Sequence, residues 1–376
     1  MKSETQAKIP QYKWLAEQLR GHIRAGDLKP GDRLPSWSQM QREYGVNKYT
    51  IERAQKELAS EGLLVCRQGS GTFVAQAQSK AVRKGIIGLC GEGITYPLEA
   101  SPYWARLVHG IRGAAQNVGH HVLLLDADTT AGWEKADGML ISDYSRKFLT
   151  NKIPDGLPCV SLLTAKDGMC SVYSDDAQGI RQSVEYLVGL GHRKIGYFHG
   201  VSDTSGTRTG AYRTALATAD IKANDDWVRL MHALPRFANR YTHGKQFVEM
   251  GRENMRAWLR DGWASLGCTA LLAHNDEFAV GIIEALKEAG IRVPEDVSVI
   301  GFDGSEPITL SQPSLSTVEV PLEEIGRKGV EILLQQIEAD QSAHDDCILP
   351  VTLRPGATTA FPPTRDSAIK PNAKGV

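Results

Sequence analysis

The apolar positions of residues 1–75 recur with helical spacing and are interrupted by turn residues. Leu15, Leu19 and Ile23 stand at every fourth position, which predicts a helix that Gly26 and a Pro-Gly pair bring to an end. Ser36 followed three residues later by Gln39 forms a capping box and predicts a second, short helix. These signals predict two consecutive helices separated by a bend.

A third helix and a hairpin are predicted after Gly45, with Asn47 as the helix N-cap. Its buried stripe is predicted to be Ile51, Ala54 and Leu58. Its outward side chains are predicted to be Lys48, Tyr49, Glu52, Arg53 and Lys56. The following LLVCRQGSGTFVA predicts two strands. Together these elements are typical of a winged helix-turn-helix, although a three-helix packing unit without a ligand also fits the pattern.

From Gly85 to residue 360, apolar strands alternate with amphipathic helices, which predicts parallel sheets and an α/β fold. The predicted strands are GIIGLCG, HHVLLLDA, DGMLISD, PCVSLLT, RKIGYFHG, CTALLAH and VSVIGFD. The predicted helices are Tyr103–Asn117, Ala177–Leu190, Thr209–Ala219, Gly251–Arg260, Glu277–Ala289 and Leu322–Ile337. We expect residues 76–84 to be a flexible linker and residues 361–376 to be a disordered tail.

Composition and charge narrow the function classes. The chain has 376 residues and 41% hydrophobic residues, but no apolar run long enough to cross a bilayer and no signal peptide, which predicts a cytoplasmic protein away from membranes. Six cysteines without metal-ligand spacing predict reduced, structural thiols. Residues 1–84 hold 15 Lys and Arg against 8 Asp and Glu, and the remainder 28 against 36. A basic head on an acidic body fits nucleic-acid binding by the head.

Residues 10–74 resemble the GntR-type DNA-binding domain in the runs LKPGDRLPS, GVNKYTI, EGLL and GSGTFV. The resemblance implies a recognition helix in the major groove and a wing against the DNA backbone or the minor groove. The residues it places at operator DNA are Ser36, Ser38, Asn47, Lys48, Tyr49, Thr50, Glu52, Arg53, Gly69, Gly71 and Thr72. Glu52 stands where the family usually has Arg. It either reads or excludes bases, or it forms a surface ion pair with Lys56.

Ligands of parallel sheets bind beyond the carboxyl ends of the strands, and here those positions are rich in acids, amides and aromatics. Such groups suit a polyhydroxylated ligand. The segment from Thr269 to Gly304 is similar to the effector domain of the LacI/GalR family, and the likeness extends over residues 84–360. The resemblance implies two lobes joined by three crossovers, with the effector in the cleft between them.

Carried over by position, the family's effector contacts fall on Arg208, Asn275, Asp303, Tyr103 and Phe247, with Tyr241 as an alternative aromatic. Asp276 is predicted to cap the helix beside it, and His192 to be structural. Only residues 128–136 stand where the family has a full helix, which predicts a turn there and makes Tyr96 and Trp133 candidate cleft residues.

The resulting hypothesis is a homodimeric transcriptional repressor, joined through its effector domain and controlled by a small sugar, with no cofactor, no metal and no enzymatic activity. It resembles arabinose repressors that fuse the same two modules. The alternatives are a pyridoxal-phosphate enzyme fused to a GntR-type head, a regulator for which a non-sugar metabolite acts as co-repressor, and a transport protein. The identity of the effector, the operator sequence and the sign of the response are not determined by the sequence.

Overall fold

The computed structural model describes residues 10–29, 31–60, 63–67, 71–75, 84–91, 101–125, 131–142, 153–154, 156–200, 207–232, 244–305, 314–339 and 345–364. They belong to two compact units that divide between Arg83 and Lys84. The described helices are α1 Gln11–Ala25, α2 Trp37–Tyr44, α3 Lys48–Ser60, α4 Pro102–Asn117, α5 Asp176–Gly189, α6 Thr207–Thr218, α7 Lys245–Arg260, α8 Trp263–Leu266, α9 Asp276–Glu288 and α10 Leu322–Ala339.

The described strands fall into three sheets. Their bounds are β1 Leu64–Arg67, β2 Gly71–Val74, β3 Ile86–Gly91, β4 His121–Leu125, β5 Gly138–Ser142, β6 Cys159–Leu162, β7 Ser171–Ser174, β8 Ile195–His199, β9 Val228–Leu230, β10 Ala270–Leu272, β11 Ser298–Asp303, β12 Ser316–Glu319, β13 Cys347–Leu349 and β14 Thr352–Arg354.

The N-terminal unit consists of α1 to α3 and the antiparallel β1–β2 hairpin, as the apolar stripes predict. The stripe residues Leu15, Leu19, Ile51 and Leu58 are all within 1% of complete burial. They meet Met40 of α2 in a single core cluster, which fixes the angle at which the second and third helices cross. The winged helix-turn-helix shape is therefore confirmed.

The second unit contains two lobes, each built on a six-stranded sheet. The lobe 1 sheet has the order β13-β7-β6-β5-β3-β4 and is parallel throughout. The lobe 2 sheet has the order β14-β12-β11-β10-β8-β9, and its described pairs are parallel except for the antiparallel edge strand β14. Helices cover both sheets, so the predicted α/β class is confirmed.

The chain crosses between the lobes three times: from β7 to α5, from β12 to α10 and from β13 to β14. The first and third crossovers are hydrogen-bonded to each other, because the Asp175 N–H donates to the Leu349 carbonyl at 2.8 Å and the Val351 N–H donates to Gln178 Oε1 at 2.9 Å. Parallel sheets whose strands end at the facing edges leave a cleft there, and this is where sheets of this class place their ligands. The predicted arrangement of two lobes and three crossovers is present.

Helix α4 of lobe 1 packs very closely on α10 because glycines stand where the two helices cross. A Cβ atom on Gly110 would lie 2.7 Å from the Cα atom of Glu323, and one on Gly326 would lie 2.6 Å from the carbonyl oxygen of Leu107. Real Cβ contacts are never this short, so only hydrogen fits at these positions. The close backbone approach holds α10, which returns from lobe 2, against lobe 1.

The connection between β4 and β5 contains a single 3₁₀ turn, Trp133–Lys135, in its described part. The predicted shortening of this segment is thus observed. Trp133, however, is 1% exposed and packs with Cys90, Leu125 and Met139. Its interpretation as a cleft residue is wrong, because its indole fills the space beside the sheet that a longer helix would otherwise cover. Tyr96 lies outside the described residues.

No disulfide joins the six cysteines, of which Cys90, Cys170 and Cys268 are buried, and burial raises the pKa of the Cys159 and Cys268 thiols to about 12. Such thiols are poor nucleophiles and poor metal ligands, which agrees with the structural role predicted for them. Among the helices within the described ranges, none combines the length and the apolar character that a membrane crossing requires.

Candidate functional site

The turn between α2 and α3 is set by the caps that the sequence predicted. The backbone N–H of Ser36 donates to Gln39 Oε1 at 2.8 Å, and the N–H of Gln39 donates back to Ser36 Oγ at 3.4 Å. Gly45 ends α2 with φ 64°, and Asn47 Oδ1 accepts the backbone N–H of Thr50 at 2.8 Å. These contacts aim the start of α3 away from the core of the N-terminal unit.

The first turn of α3 presents Lys48 and Tyr49 to solvent, and the Tyr49 side chain is 70% exposed. Ser36 and Ser38 are also exposed, on the neighbouring helix start. Thr50 is only 7% exposed, against the prediction that it belongs to the DNA-facing surface. It stands one turn before the buried Ala54, on the face of the helix that packs inward, which leaves little of it for a DNA contact.

Glu52 forms an ion pair with Lys48, at 3.8 Å, and not with Lys56, the partner that one of the two sequence interpretations gave it. The Lys48 ammonium also lies 4.2 Å from the centre of the Trp37 ring. Both charged side chains are about half exposed, so the pair contributes only a few tenths of a kcal/mol to stability. Its larger effect is electrostatic, because the Glu52 carboxylate offsets the positive charge of Lys48 at the start of α3.

Arg53 lies further round the helix, where its guanidinium stacks 4.0 Å from the centre of the Tyr12 ring of α1. The Arg53 side chain is exposed, and its contact with Tyr12 fixes its position against α1. Gln55, which the sequence did not single out, is 5% exposed and accepts hydrogen bonds from Trp37 Nε1 at 3.5 Å and Thr72 Oγ1 at 3.3 Å. This amide connects α2, α3 and the wing.

The wing has a third strand-like segment that the sequence analysis did not predict. The N–H of Leu34 donates to the Thr72 carbonyl, and the N–H of Val74 donates to the Asp32 carbonyl, both at 2.8 Å. The exposed Arg33 guanidinium lies over Gly71, where a Cβ atom would come within 2.8 Å of its Nε. Gly71, with φ 113°, therefore admits an additional basic group to the wing. Gly69 lies outside the described residues.

In lobe 2, β10 pairs in parallel with both β8 and β11, so the carboxyl ends of these strands lie side by side. Arg208, near the start of α6, reaches this edge. Its Nε and Nη2 lie 2.8 Å from Asp176 Oδ2, and its Nη1 donates to the His274 carbonyl at 3.0 Å. Its guanidinium also stacks 3.9 Å from the centre of the Phe302 ring. Asp176 was missed because nothing in its spacing distinguishes it from a helix-start acid.

The charges of this site are largely compensated. Burial alone would lower the pKa of Arg208, but the Asp176 carboxylate raises it above its usual value, so Arg208 stays ionised. Burial lowers the pKa of His274 to about 3, with Arg208 and His199 adding to the effect, so His274 is neutral. The result is a polar edge with little net charge.

Asn275, and not Asp276, caps the helix that follows β10. Asn275 Oδ1 caps α9 by accepting the Phe278 N–H at 2.9 Å, which leaves its Nδ2 group for a ligand. Asp276 is completely buried, and its Oδ2 accepts the Ser305 N–H at 2.7 Å, while its other oxygen accepts from Thr317. The prediction of Asp276 as the cap was therefore wrong. This carboxyl instead holds the loop after β11 in place.

Asp303 ends β11 with φ 105°, a backbone conformation that side-chain-bearing residues rarely adopt. Strain of this kind is retained where the surroundings enforce it, often at binding sites. Burial raises the pKa of Asp303 well above its usual value, and Asp276 and Glu277 add to the shift. A protonated carboxyl is a hydrogen-bond donor as well as an acceptor, which suits a hydroxyl partner.

The predicted aromatics separate into two groups. Phe247 lies at the lobe 2 site, with its ring centre 6.0 Å from that of His274. Tyr103 is half-buried on α4 of lobe 1 and packs edge-on against Trp104 at 5.5 Å, so packing of its own helix accounts for part of its position. Tyr241 lies outside the described residues.

Arg106 of α4 links the two lobes at this site and was not predicted. Its Nη1 donates to the carbonyls of Asp303 and Gly304 at 3.3 and 3.2 Å, and its Nη2 donates to the Val320 carbonyl at 3.1 Å. Glu323 of α10 fixes it through Nε at 2.9 Å. A single guanidinium on lobe 1 thus contacts the ligand-edge loop of lobe 2.

The structural role predicted for His192 is confirmed. It is 1% exposed, and both ring nitrogens are used: Nδ1 lies 2.8 Å from Thr269 Oγ1 and Nε2 lies 2.9 Å from the Ala360 carbonyl. These contacts fasten the end of the domain to lobe 2.

Comparison with known families separates the same two parts of the chain. Residues 11–74 match the gntR family of bacterial regulatory proteins, and residues 184–359 match the periplasmic binding protein-like domain. The chain joins a GntR-type head to a periplasmic-binding-protein-like body. With this head, it is a DNA-binding regulator.

Relatives and solved structures extend this similarity over most of the chain. The arabinose metabolism transcriptional repressor of Geobacillus stearothermophilus is 25% identical over 360 residues, which cover 90% of this chain and 93% of the relative. A LacI family regulator from Enterococcus faecium with bound ribose is 25% identical, with a TM-score of 0.60, and covers 73% of this chain and 99% of its own. The CelR–cellobiose complex has a TM-score of 0.62 at 22% identity, covering 83% and 91%.

Proposed function

We propose that the protein is a transcriptional repressor whose operator affinity is set by an uncharged, polyhydroxylated effector bound at the lobe 2 strand ends. The observation that carries the proposal is the compensated polar edge formed by Arg208, Asp176, His274 and Asp303. A carboxyl whose pKa is raised by burial and a guanidinium that is already paired suit hydroxyl groups better than they suit a charged ligand. The matching structures contain cellobiose in one case and ribose in the other, which supports this class of effector.

The head supplies the DNA contact. We expect the exposed start of α3, with Lys48 and Tyr49, to enter the major groove, and Ser36, Ser38 and the wing to contact phosphates. Because Glu52 offsets the Lys48 charge, non-specific affinity should be modest and the operator should differ from that of relatives with Arg at this position.

We expect a cytoplasmic homodimer formed through the body, since paired heads are needed to hold two half-sites one helical turn apart. An effector changes operator affinity only if it prefers one lobe arrangement over the other. Arg106 connects effector binding to the arrangement of the lobes, because it contacts the backbone of the strained Asp303 from the opposite lobe.

The alternatives differ in what they require. A pyridoxal-phosphate enzyme requires an aminotransferase-like fold, whereas residues 184–359 match a binding-protein-like domain. A regulator for which a non-sugar metabolite acts as co-repressor keeps the same fold and differs in ligand class and in sign, so the operator measurement below distinguishes it from a sugar-released repressor.

The test combines ligand screening with operator binding. Thermal unfolding in the presence of L-arabinose, D-ribose, cellobiose and a wider set of saccharides should show stabilisation by at least one sugar. That sugar should then reduce binding to the operator found by footprinting the adjacent promoter. Asp303→Ala and Arg208→Ala should abolish the sugar response and retain operator binding.

Arg213→Ala is the matched control, because Arg213 lies on the same helix but forms an exposed pair with Asp225. Asp303→Asn provides a second, milder variant that keeps the side-chain volume. Stabilisation by none of the sugars, or full induction in both site variants, would show that the effector site has been assigned wrongly.

A further inference from the structure

His199, the last residue of β8, lies on the same face of the lobe 2 sheet as Arg208. Side chains alternate along a strand, so His199 shares a face with Tyr197, and their ring centres are 6.2 Å apart. Tyr197 in turn stacks at 5.3 Å on Tyr212 of α6, the helix whose first turn carries Arg208. His199 is therefore at the ligand edge, at the carboxyl end of its strand.

The Nδ1 atom of His199 is buried and has no hydrogen-bond partner. Buried polar atoms in folded proteins are nearly always hydrogen-bonded, and an unmatched one destabilises the fold. His192, in the same lobe, shows the usual situation, with both of its ring nitrogens bonded. An unmatched ring nitrogen at a ligand edge therefore calls for a partner that arrives from solution.

Neighbouring polar groups are committed to one another. Arg208 binds Asp176 and the His274 carbonyl, and Asn275 uses its oxygen to cap α9. Asp276 accepts from Ser305. These groups form a framework, and besides the Asn275 Nδ2 group the His199 ring nitrogen is an atom at this edge whose hydrogen-bonding capacity the described residues leave unused.

We propose that His199 Nδ1 hydrogen-bonds a hydroxyl group of the effector and determines which polyhydroxylated ligands the protein accepts. The inference rests on the proposed function and deepens it. A hydroxyl both donates and accepts, so it satisfies either tautomer of a neutral imidazole. A sugar that lacks the hydroxyl at this position leaves the nitrogen unmatched and is rejected.

The experiment uses calorimetric titration of the full-length protein with L-arabinose, D-ribose and cellobiose, followed by the monodeoxy analogues of whichever sugar binds. His199→Phe should weaken binding of that sugar about 10- to 100-fold. His199→Asn, which can still hydrogen-bond, should keep the affinity within about fivefold. His109→Asn, an exposed histidine on α4, is the matched control and should bind like the wild type.

The deoxy series separates a hydrogen bond from a general disturbance. Removal of one particular hydroxyl should weaken binding to the wild type but add nothing further in His199→Phe, as expected when both changes remove the same contact. Thermal unfolding and operator binding without sugar report whether the variants fold.

Equal affinity of wild type and His199→Phe for the sugar, or identical deoxy penalties in both proteins, overturns the role of His199 while leaving the proposed function standing. Failure of the wild type to bind any sugar overturns the proposed function and this inference with it.

Discussion

Two glycines on α4, three residues apart, allow the packing between α4 and α10 to be tested against a control on the same helix. Gly110 faces the backbone of α10, where a Cβ atom would lie 2.7 Å from both the Cα and the carbonyl carbon of Glu323. Gly113 faces open space, with no atom within 4 Å of such a Cβ. The substitutions Gly110→Ala and Gly113→Ala therefore add the same methyl group in two different surroundings.

The magnitudes follow from these distances. Ordinary contact begins at 3.4 Å, so Gly110→Ala forces the helices apart locally. Overpacking of this kind costs about 1–3 kcal/mol, and occasionally more. Alanine in place of glycine also favours the helix by about 1 kcal/mol, and this is the only effect expected for Gly113→Ala. Because the helix-propensity gain is common to both variants, we expect their free energies of unfolding to differ by the overpacking cost, about 1–3 kcal/mol, with Gly113→Ala the more stable.

The assay is urea unfolding followed by circular dichroism, supported by calorimetry. The melting temperature of Gly113→Ala should lie above the wild-type value and that of Gly110→Ala below it, with several degrees between the two variants. Because α4 also carries Arg106, Gly110→Ala should in addition weaken the sugar response. Equal stabilities of the two variants would show that the α4–α10 crossing is not packed as described and would refute the argument.

The remaining predictions concern charge. Glu52→Arg frees Lys48 and adds a basic side chain, so non-specific DNA affinity should rise, and the slope of log affinity against log salt concentration should steepen by about one. Fluorescence anisotropy between about 50 and 200 mM salt measures this slope, and an unchanged slope contradicts the prediction. Burial raises the pKa of Asp276 to about 8 from an ordinary value near 4, so the unfolded state releases a proton that the folded state keeps, and the free energy of unfolding should fall as pH rises between these values. Asp276→Asn should make this fall shallower in urea titrations, and an unaltered pH profile would contradict the burial argument. Arg106→Leu should reduce the sugar-induced change in operator affinity more than it reduces sugar affinity, whereas Arg112→Leu on the exposed side of α4 should change neither; equal responses in both variants would count against the coupling role.

Most of the elements were predictable because they are encoded by neighbouring residues. The capping box of Ser36 and Gln39, and the glycine that ends α2, act within a few residues of chain and were found where the sequence placed them. The strands that were missed, β7, β9 and β12 to β14, have only three or four residues each, so their apolar pattern is too brief to recognise. Their strand conformation depends on pairing with a neighbour distant in sequence.

The candidate site was only partly predictable, since motif position fixes which residues reach an edge but not which partners they find there. Arg208 and Asp303 were placed at the site by resemblance, and the structure brings both to the edge formed by β8, β10 and β11. The partners of Arg208 and the link through Arg106 join residues far apart in the chain. No local pattern encodes such contacts.

The sequence by itself determined the two modules, the succession of helices and strands and the caps at the helix ends, because each of these depends on spacing and on interactions within one or two turns of chain. The tertiary structure decided which side chains are buried, which are charged and which lack a hydrogen-bond partner. It buried Trp133 and Thr50, neutralised His274 and left one nitrogen of His199 without a partner. Burial and charge compensation depend on what the fold brings alongside each side chain, and that is settled only when distant strands and helices pack together.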